Sequence, residues 1–309
     1  NLTIFTDSIA HSVEYDKDNR RASGVKVVNS ETNKFSRINA RIIFLCASTL
    51  GTTQIMLNSK SESFPNGIAN SSGILGHYLM DHIFESGANG VYPGFQDKYF
   101  KGRRPNGIYI PRYHNIDKKD DRFLRGFGFQ GGGKRPGWKR GRTIKGFGVD
   151  LKEQLKRPGP WTFSLGGFGE MLPDKRNKVW LDQKQKDKWG IPLLNIECVL
   201  RENELKMLKV MAEDAKEMLE ASGMVDVTTY NNSAPPGLAI HEMGTARMGH
   251  DPKTSVLNKH NQCHDVQNLF ITDGSCMTSS ACQNPSLTYM ALTARAADTA
   301  VEMLQEGRI

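Results

Sequence analysis

The chain has 309 residues with 41 Lys and Arg against 33 Asp and Glu, a net charge of +8, and 38% hydrophobic content. That length holds one large domain or two smaller ones with a sizeable core, and no apolar run is long enough to span a membrane. The positive charge gathers in residues 101–104 and 134–145 without any recognition motif, which argues for a solvated face and against nucleic acid. Five scattered cysteines (Cys46, Cys198, Cys263, Cys276 and Cys282) form no Cys-x-x-Cys pair and predict no disulfide framework.

In chain order, the opening Asn1-Leu2-Thr3-Ile4-Phe5 has no starting Met and no basic, apolar signal peptide. The expectation is that an upstream segment has been removed. Residues 3–13 alternate weakly and read as one or two strands, closed by the turn cluster Asp16-Lys17-Asp18-Asn19. Residues 24–28 form a strand by their valines. Residues 37–44 form another, ending in the apolar Ile42-Ile43-Phe44-Leu45. Residues 47–57 read as a small-residue turn and a short helix.

The next stretch, Leu75-Gly76-His77-Tyr78-Leu79-Met80-Asp81-His82, places an acid beside a histidine, read as an ion-paired hinge. Residues 123–150 are rich in Gly and basic residues. Gly128-x-x-x-x-Gly133-Lys134 matches most of a phosphate loop, but Arg135 and Pro136 stand where a Ser or Thr and a helix are needed. A mobile loop is expected there. Residues 161–171, 178–181 and 193–200 read as strands of a mostly antiparallel sheet. Residues 202–222 place Leu205, Leu208, Met211, Ala215, Met218 and Leu219 at helical spacing, with Gly223 as the stop. His250, His260, Cys263 and His264 match no standard zinc spacing, and no metal is expected.

The C-terminal stretch is richest in signals. His241-Glu242-Met243-Gly244-Thr245-Ala246-Arg247-Met248-Gly249 sets one histidine before small residues. Leu269-Phe270-Ile271 is a short apolar strand that ends in Thr272-Asp273-Gly274-Ser275. Asn284-Pro285-Ser286-Leu287-Thr288 reads as an Asn cap and a first-turn Pro opening an alanine-rich helix, whose N–H groups and positive end suit an electron-rich ligand.

His241-x-x-Gly244-Thr245-x-x-Met248-Gly249, Asp273-Gly274-Ser275 and Asn284-Pro285-x-x-Thr288 together resemble the C-terminal signature of the glucose-methanol-choline (GMC) flavin oxidoreductases. The His/Asn pairing is similar to the pyranose oxidase and sugar dehydrogenase branch. The resemblance implies an α/β and α+β fold: a partial FAD-binding domain and a substrate domain on a mostly antiparallel sheet. It divides the chain into residues 1–72 (flavin domain, a β-meander and return strand), 73–234 (substrate domain) and 235–309 (flavin domain, with the catalytic His and Asn).

The same resemblance implies FAD as cofactor and the oxidation of an alcohol group of a sugar or glycoside. His241 and Asn284 would be the catalytic pair. A neutral imidazole suits removal of the hydroxyl proton, and an amide can both donate and accept. Ala10, Asp273, Gly274, Asn284, Pro285, Ser286 and Thr288 would meet the cofactor. The family's flavin fingerprint, Gly-x-Gly-x-x-Gly placed after a strand and before a helix, is not expected in these residues. A missing N-terminal FAD-binding portion or a second polypeptide is therefore the expected partner, covering residues 42–45 and 269–271, which would otherwise stand bare. A homo-oligomer is compatible with this reading. The alternatives are a degenerate binding subunit that kept the fold, or an anion-binding module using the basic Gly-rich loop.

Overall fold

The computed structural model describes residues 2–99 and 107–309, so the basic cluster at 101–104 lies outside the described residues. Strands β1 (Ser8–Asp16), β2 (Arg21–Asn29) and β3 (Phe35–Asn39) form an antiparallel meander. Asp16 closes the first hairpin by accepting the backbone N–H groups of Asp18 and Asn19. Next come β4 (Ile43–Leu45) and helix α1 (Ser48–Asn58). The expected single strand over 37–44 is thus two strands in different sheets: β3 ends the meander, while β4 turns away to pair with the distant Leu269–Ile271.

Strands β5 (His77–Met80), β6 (His82–Ile83), β7 (Ser86–Tyr92), β8 (Ile108–Ile110) and β9 (Phe127–Lys134) follow. A short helix α2 (Gly148–Lys156) precedes β10 (Trp161–Glu170), β11 (Lys178–Lys186) and β12 (Pro192–Glu197). Helix α3 (Glu202–Ala221) leads to β13 (Val225–Asn231), β14 (Met243–Thr245), β15 (Leu269–Ile271) and the closing helix α4 (Ser286–Gln305).

The largest sheet runs β13-β7-β10-β9-β8, with β6 also on β10, and every pairing in it is antiparallel. Its glycine-rich β9 overturns the loop expected there. Gly128, Gly131, Gly132 and Gly133 lie in register opposite Phe168, Leu165, Ser164 and Phe163 of β10. Close packing is what selects glycine in this sheet: a Cβ on Gly167 of β10 would come within 2.7 Å of Met211 Sδ. Helix α3 thereby seats Met207, Leu208, Met211 and Ala215 on the sheet, in one core with Phe127, Phe129 and Leu165.

A second sheet, β12-β11-β5-β14, joins the middle of the chain to its C-terminal part. A parallel pair, β4 and β15, is covered by this chain on both faces. Ile43, Leu45, Leu269 and Ile271 belong to a core with α1 and the meander. Phe270, with Ile42 and Phe44, packs on Ala296, Ala300 and Met303 of α4. The expectation that these strands stand bare is therefore wrong: α4 folds back over them, and Leu269, Phe270 and Ile271 are fully buried.

Candidate active site

The site forms where the chain passes between sheets. Strand β5 belongs to the four-stranded sheet and β6 to the largest, so Asp81 sits at the crossing between them. Strand β14 pairs antiparallel with β5, Met243 opposite Met80, which brings His241 back beside His82. Gly244 makes the close return possible: at φ +89°, any Cβ there would strike the carbonyl oxygen of Tyr78.

Asp81 organises the approach. Its carboxylate is 1% exposed and accepts four backbone N–H groups. His82 lies at 2.7 Å and His241 at 3.2 Å from Oδ1, and Gly237 at 2.7 Å and Ala239 at 3.3 Å from Oδ2. These bonds hold the 237–241 loop, including Ile240 at φ +56°. Asp81 therefore binds the His82 backbone rather than its ring, so the expected ion-paired hinge is in fact a loop anchor.

The imidazoles meet instead of an acid and a base. His241 Nδ1 lies 3.0 Å from His82 Nδ1, with ring centroids 4.9 Å apart. His82 is buried, and that burial, reinforced by the neighbouring His241, pushes its pKa down to about 4 against the smaller opposing pull of Asp81 and the Ala281 carbonyl. Its Nε2 is enclosed; the Ala281 carbonyl acts on the ring without closing a well-formed hydrogen bond to that nitrogen.

On the other side of His241, Asn284 Nδ2 stands 3.4 Å from Nε2. Asn284 Oδ1 accepts from Gln130 Nε2 of β9 at 3.2 Å, which orients the amide. Asn284 does not cap α4, as the sequence suggested. The helix starts at Ser286 after Pro285, and no side chain caps it. The amide is engaged by His241 and Gln130, leaving the first-turn N–H groups of the helix open, with Ser286, Leu287 and Thr288 exposed.

Helix α1 clamps this loop system through three threonines on one face. Thr49 Oγ1 donates to the Glu242 carbonyl at 2.5 Å, and Thr53 Oγ1 lies 2.7 Å from Thr245 Oγ1. Thr52 Oγ1 donates to Asp273 Oδ2 at 2.5 Å. Oδ1 of Asp273 accepts from the N–H and hydroxyl of Ser275, so its carboxylate is engaged within the fold. Gly274 is pressed between Thr49 and the Glu242 carbonyl, where a Cβ would clash with both.

The structure thus brings His241 and Asn284 together and sets Pro285, Ser286 and Thr288 at the adjoining helix start. Asp273 and Gly274 brace the floor behind it. Ala10 lies elsewhere: it is half-buried in β1 opposite Val27 and packs against the core shared with α1. Sequence reasoning missed Gln130, hidden in a glycine run, and the anchoring role of Asp81. The i, i+3, i+4 spacing of Thr49, Thr52 and Thr53 could have flagged the α1 clamp.

Residues 173–293 match the family model described as GMC oxidoreductase. The chain is 33% identical over 298 residues to 2-methyl-1,2-propanediol dehydrogenase of Mycolicibacterium austroafricanum, covering 91% of this chain and 51% of that protein. It is 26% identical over 306 residues to the fructose dehydrogenase large subunit of Gluconobacter japonicus, covering 98% of this chain and 55% of that one. The chain thus spans about half the length of the curated relatives it matches. Among solved structures, formate oxidase of Aspergillus oryzae RIB40 superposes with a TM-score of 0.66 at 14% identity, covering 98% of this chain and 61% of that chain.

Proposed function

We propose, since this chain belongs to the GMC oxidoreductase family and carries its C-terminal portion, that it forms the substrate-facing half of an FAD-dependent alcohol oxidoreductase. The observation that carries the reading is the meeting of His241 Nε2 and the Asn284 amide at the uncapped start of α4. GMC oxidoreductases are FAD flavoproteins, and the residues present fit the flavin on one count visible in the fold. A 20-residue helix points an uncapped, positive N-terminus beside the base, where an electron-rich ring gains from it.

Bound FAD would supply the hydride acceptor. The chain's own residues do the rest. The Asn284 Nδ2–H and His241 Nε2 converge on one point, where a substrate hydroxyl would accept from the amide and donate to the imidazole. His241 takes the hydroxyl proton as the carbinol hydride departs. Gln130 keeps the amide oriented, and Asp81 keeps His241 on station through its backbone. A sugar or a comparable polyol is the proposed substrate class, in keeping with the fructose and diol dehydrogenases among the relatives. The chain divides, in this reading, into flavin-domain parts at 1–72 and 235–309 and a substrate domain at 73–234.

The pyrophosphate cradle is proposed to come from polypeptide outside these residues. Strand β4 has no described strand on the side away from β15, and a parallel pair is normally part of a wider sheet. The test is to purify this chain alone and together with the remaining polypeptide of its gene product, then record visible absorbance and anaerobic flavin reduction by sugars and diols. The reading expects a colourless lone chain and a yellow longer protein bleached by an alcohol. A yellow protein that no alcohol reduces would refute it.

A further inference from the structure

Two neutral imidazoles facing each other through like nitrogens cannot both hold a proton there, nor can both lack one and still hydrogen-bond. The 3.0 Å contact between His82 Nδ1 and His241 Nδ1 therefore has one donor and one acceptor, and the choice decides what His241 can do at Nε2. The choice follows from the outer end of the chain of contacts.

At the outer end, Gln130 donates to Asn284 Oδ1, so the Asn284 Nδ2 group turns to His241. An amide nitrogen only donates, so His241 Nε2 is the acceptor and the ring proton lies on Nδ1. At the inner end, Nδ1 is the His82 nitrogen that meets His241, and the other, Nε2, is enclosed. A neutral His82 with its proton there leaves Nδ1 bare, ready to accept from His241. Burial keeps the ring neutral, so it stays an acceptor near neutral pH.

The geometry points to His82 as a positioning residue that fixes the proton of His241 on Nδ1 and so presents an Nε2 lone pair to the substrate hydroxyl. The relay runs from His82 through His241 and Asn284 to Gln130, each of these contacts pairing one donor with one acceptor. It fills, with a neutral ring, the orienting place that a carboxylate often takes beside a basic histidine. The nearest carboxylate, Asp81, is occupied by four backbone amides and is not free for that task. The inference rests on the proposed role of His241 as base.

Three measurements on the full-length, flavin-loaded protein test it. The first is the nitrogen-15 signals of the His241 ring near neutral pH, expected to show a protonated Nδ1 and a bare Nε2; the reverse pattern would overturn the assignment without any variant. The second is His82→Leu, which keeps bulk and removes the acceptor. It is expected to slow the maximal rate of flavin reduction by roughly tenfold, less than loss of the base itself, with the apparent substrate affinity little changed. The third is His82→Asn, whose Oδ1 reaches the place of Nδ1 and should restore most of the rate. A His82→Leu protein that reduces flavin at the parent rate, while His241→Ala is slow, would sink the relay and leave the base standing. If His241→Ala reduces flavin normally, the base reading falls, and the nitrogen signals alone decide the tautomer.

Discussion

Asn284 directs its amide at His241 Nε2, 3.4 Å away, and leaves the start of α4 without a side-chain cap. The residue is exposed, so Asn284→Ala should change stability by no more than about 0.5 kcal/mol. A true cap would cost about 1 kcal/mol. The same variant should slow flavin reduction, because in the proposed mechanism the substrate oxygen loses its donor. Asn284→Asp replaces that donor with a carboxylate, which draws a proton onto His241 Nε2 and should shift the onset of flavin reduction to higher pH. Parent-like reduction by Asn284→Asp would remove Asn284 from the chemistry.

His241→Ala in the full-length protein should cut flavin reduction by about 10²-fold or more, the usual loss for a general base. Its effect on substrate affinity should be smaller. Stopped-flow reduction under anaerobic conditions checks this, and an unchanged rate would strike His241 from the mechanism.

Asp81→Ala should harm both stability and activity. It strands backbone N–H groups that now share one buried carboxylate, at a cost on the order of 3 kcal/mol. It also frees the loop that carries His241. Chemical denaturation and flavin reduction should therefore fall together. A protein of parent stability would show that the loop is held by other means.

The buried His82 gives stability a defined pH dependence. Its folded pKa near 4 lies below the ordinary 6.5, so between those values the unfolded chain binds a proton that the folded chain refuses. Stability from this group is complete above about 6.5 and declines as pH falls toward 4. The decline amounts to roughly 3 kcal/mol at most. The stability difference between the parent and His82→Asn should accordingly shift in favour of the variant on acidification from neutral pH to pH 4. A difference that stays constant across that range would mean that His82 does not titrate as its burial implies.

Much of this molecule is written locally. The alternation of 161–171, the helical spacing of 202–222, the apolar Leu269-Phe270-Ile271 and the signature around His241 and Asn284 each depend on neighbours a few residues away, and the corresponding elements are present in the fold. The family itself could be read from those motifs. Other features were beyond local reading. Residues 127–134 look like a loop because glycine has no intrinsic preference for strands, yet pairing with β10 and packing under α3 make them a central strand. The run ending at Ile43-Phe44-Leu45 divides between two sheets because its last residues find a parallel partner more than two hundred positions away. Above all, the sequence names His241 but not what surrounds it. His82 lies 159 residues earlier in the chain, and Gln130 lies 154 residues before Asn284. The crossing of β5, β6 and β14 brings His82 to His241, and β9 and the start of α4 bring Gln130 to Asn284; at that distance burial and contact determine which nitrogen holds the proton.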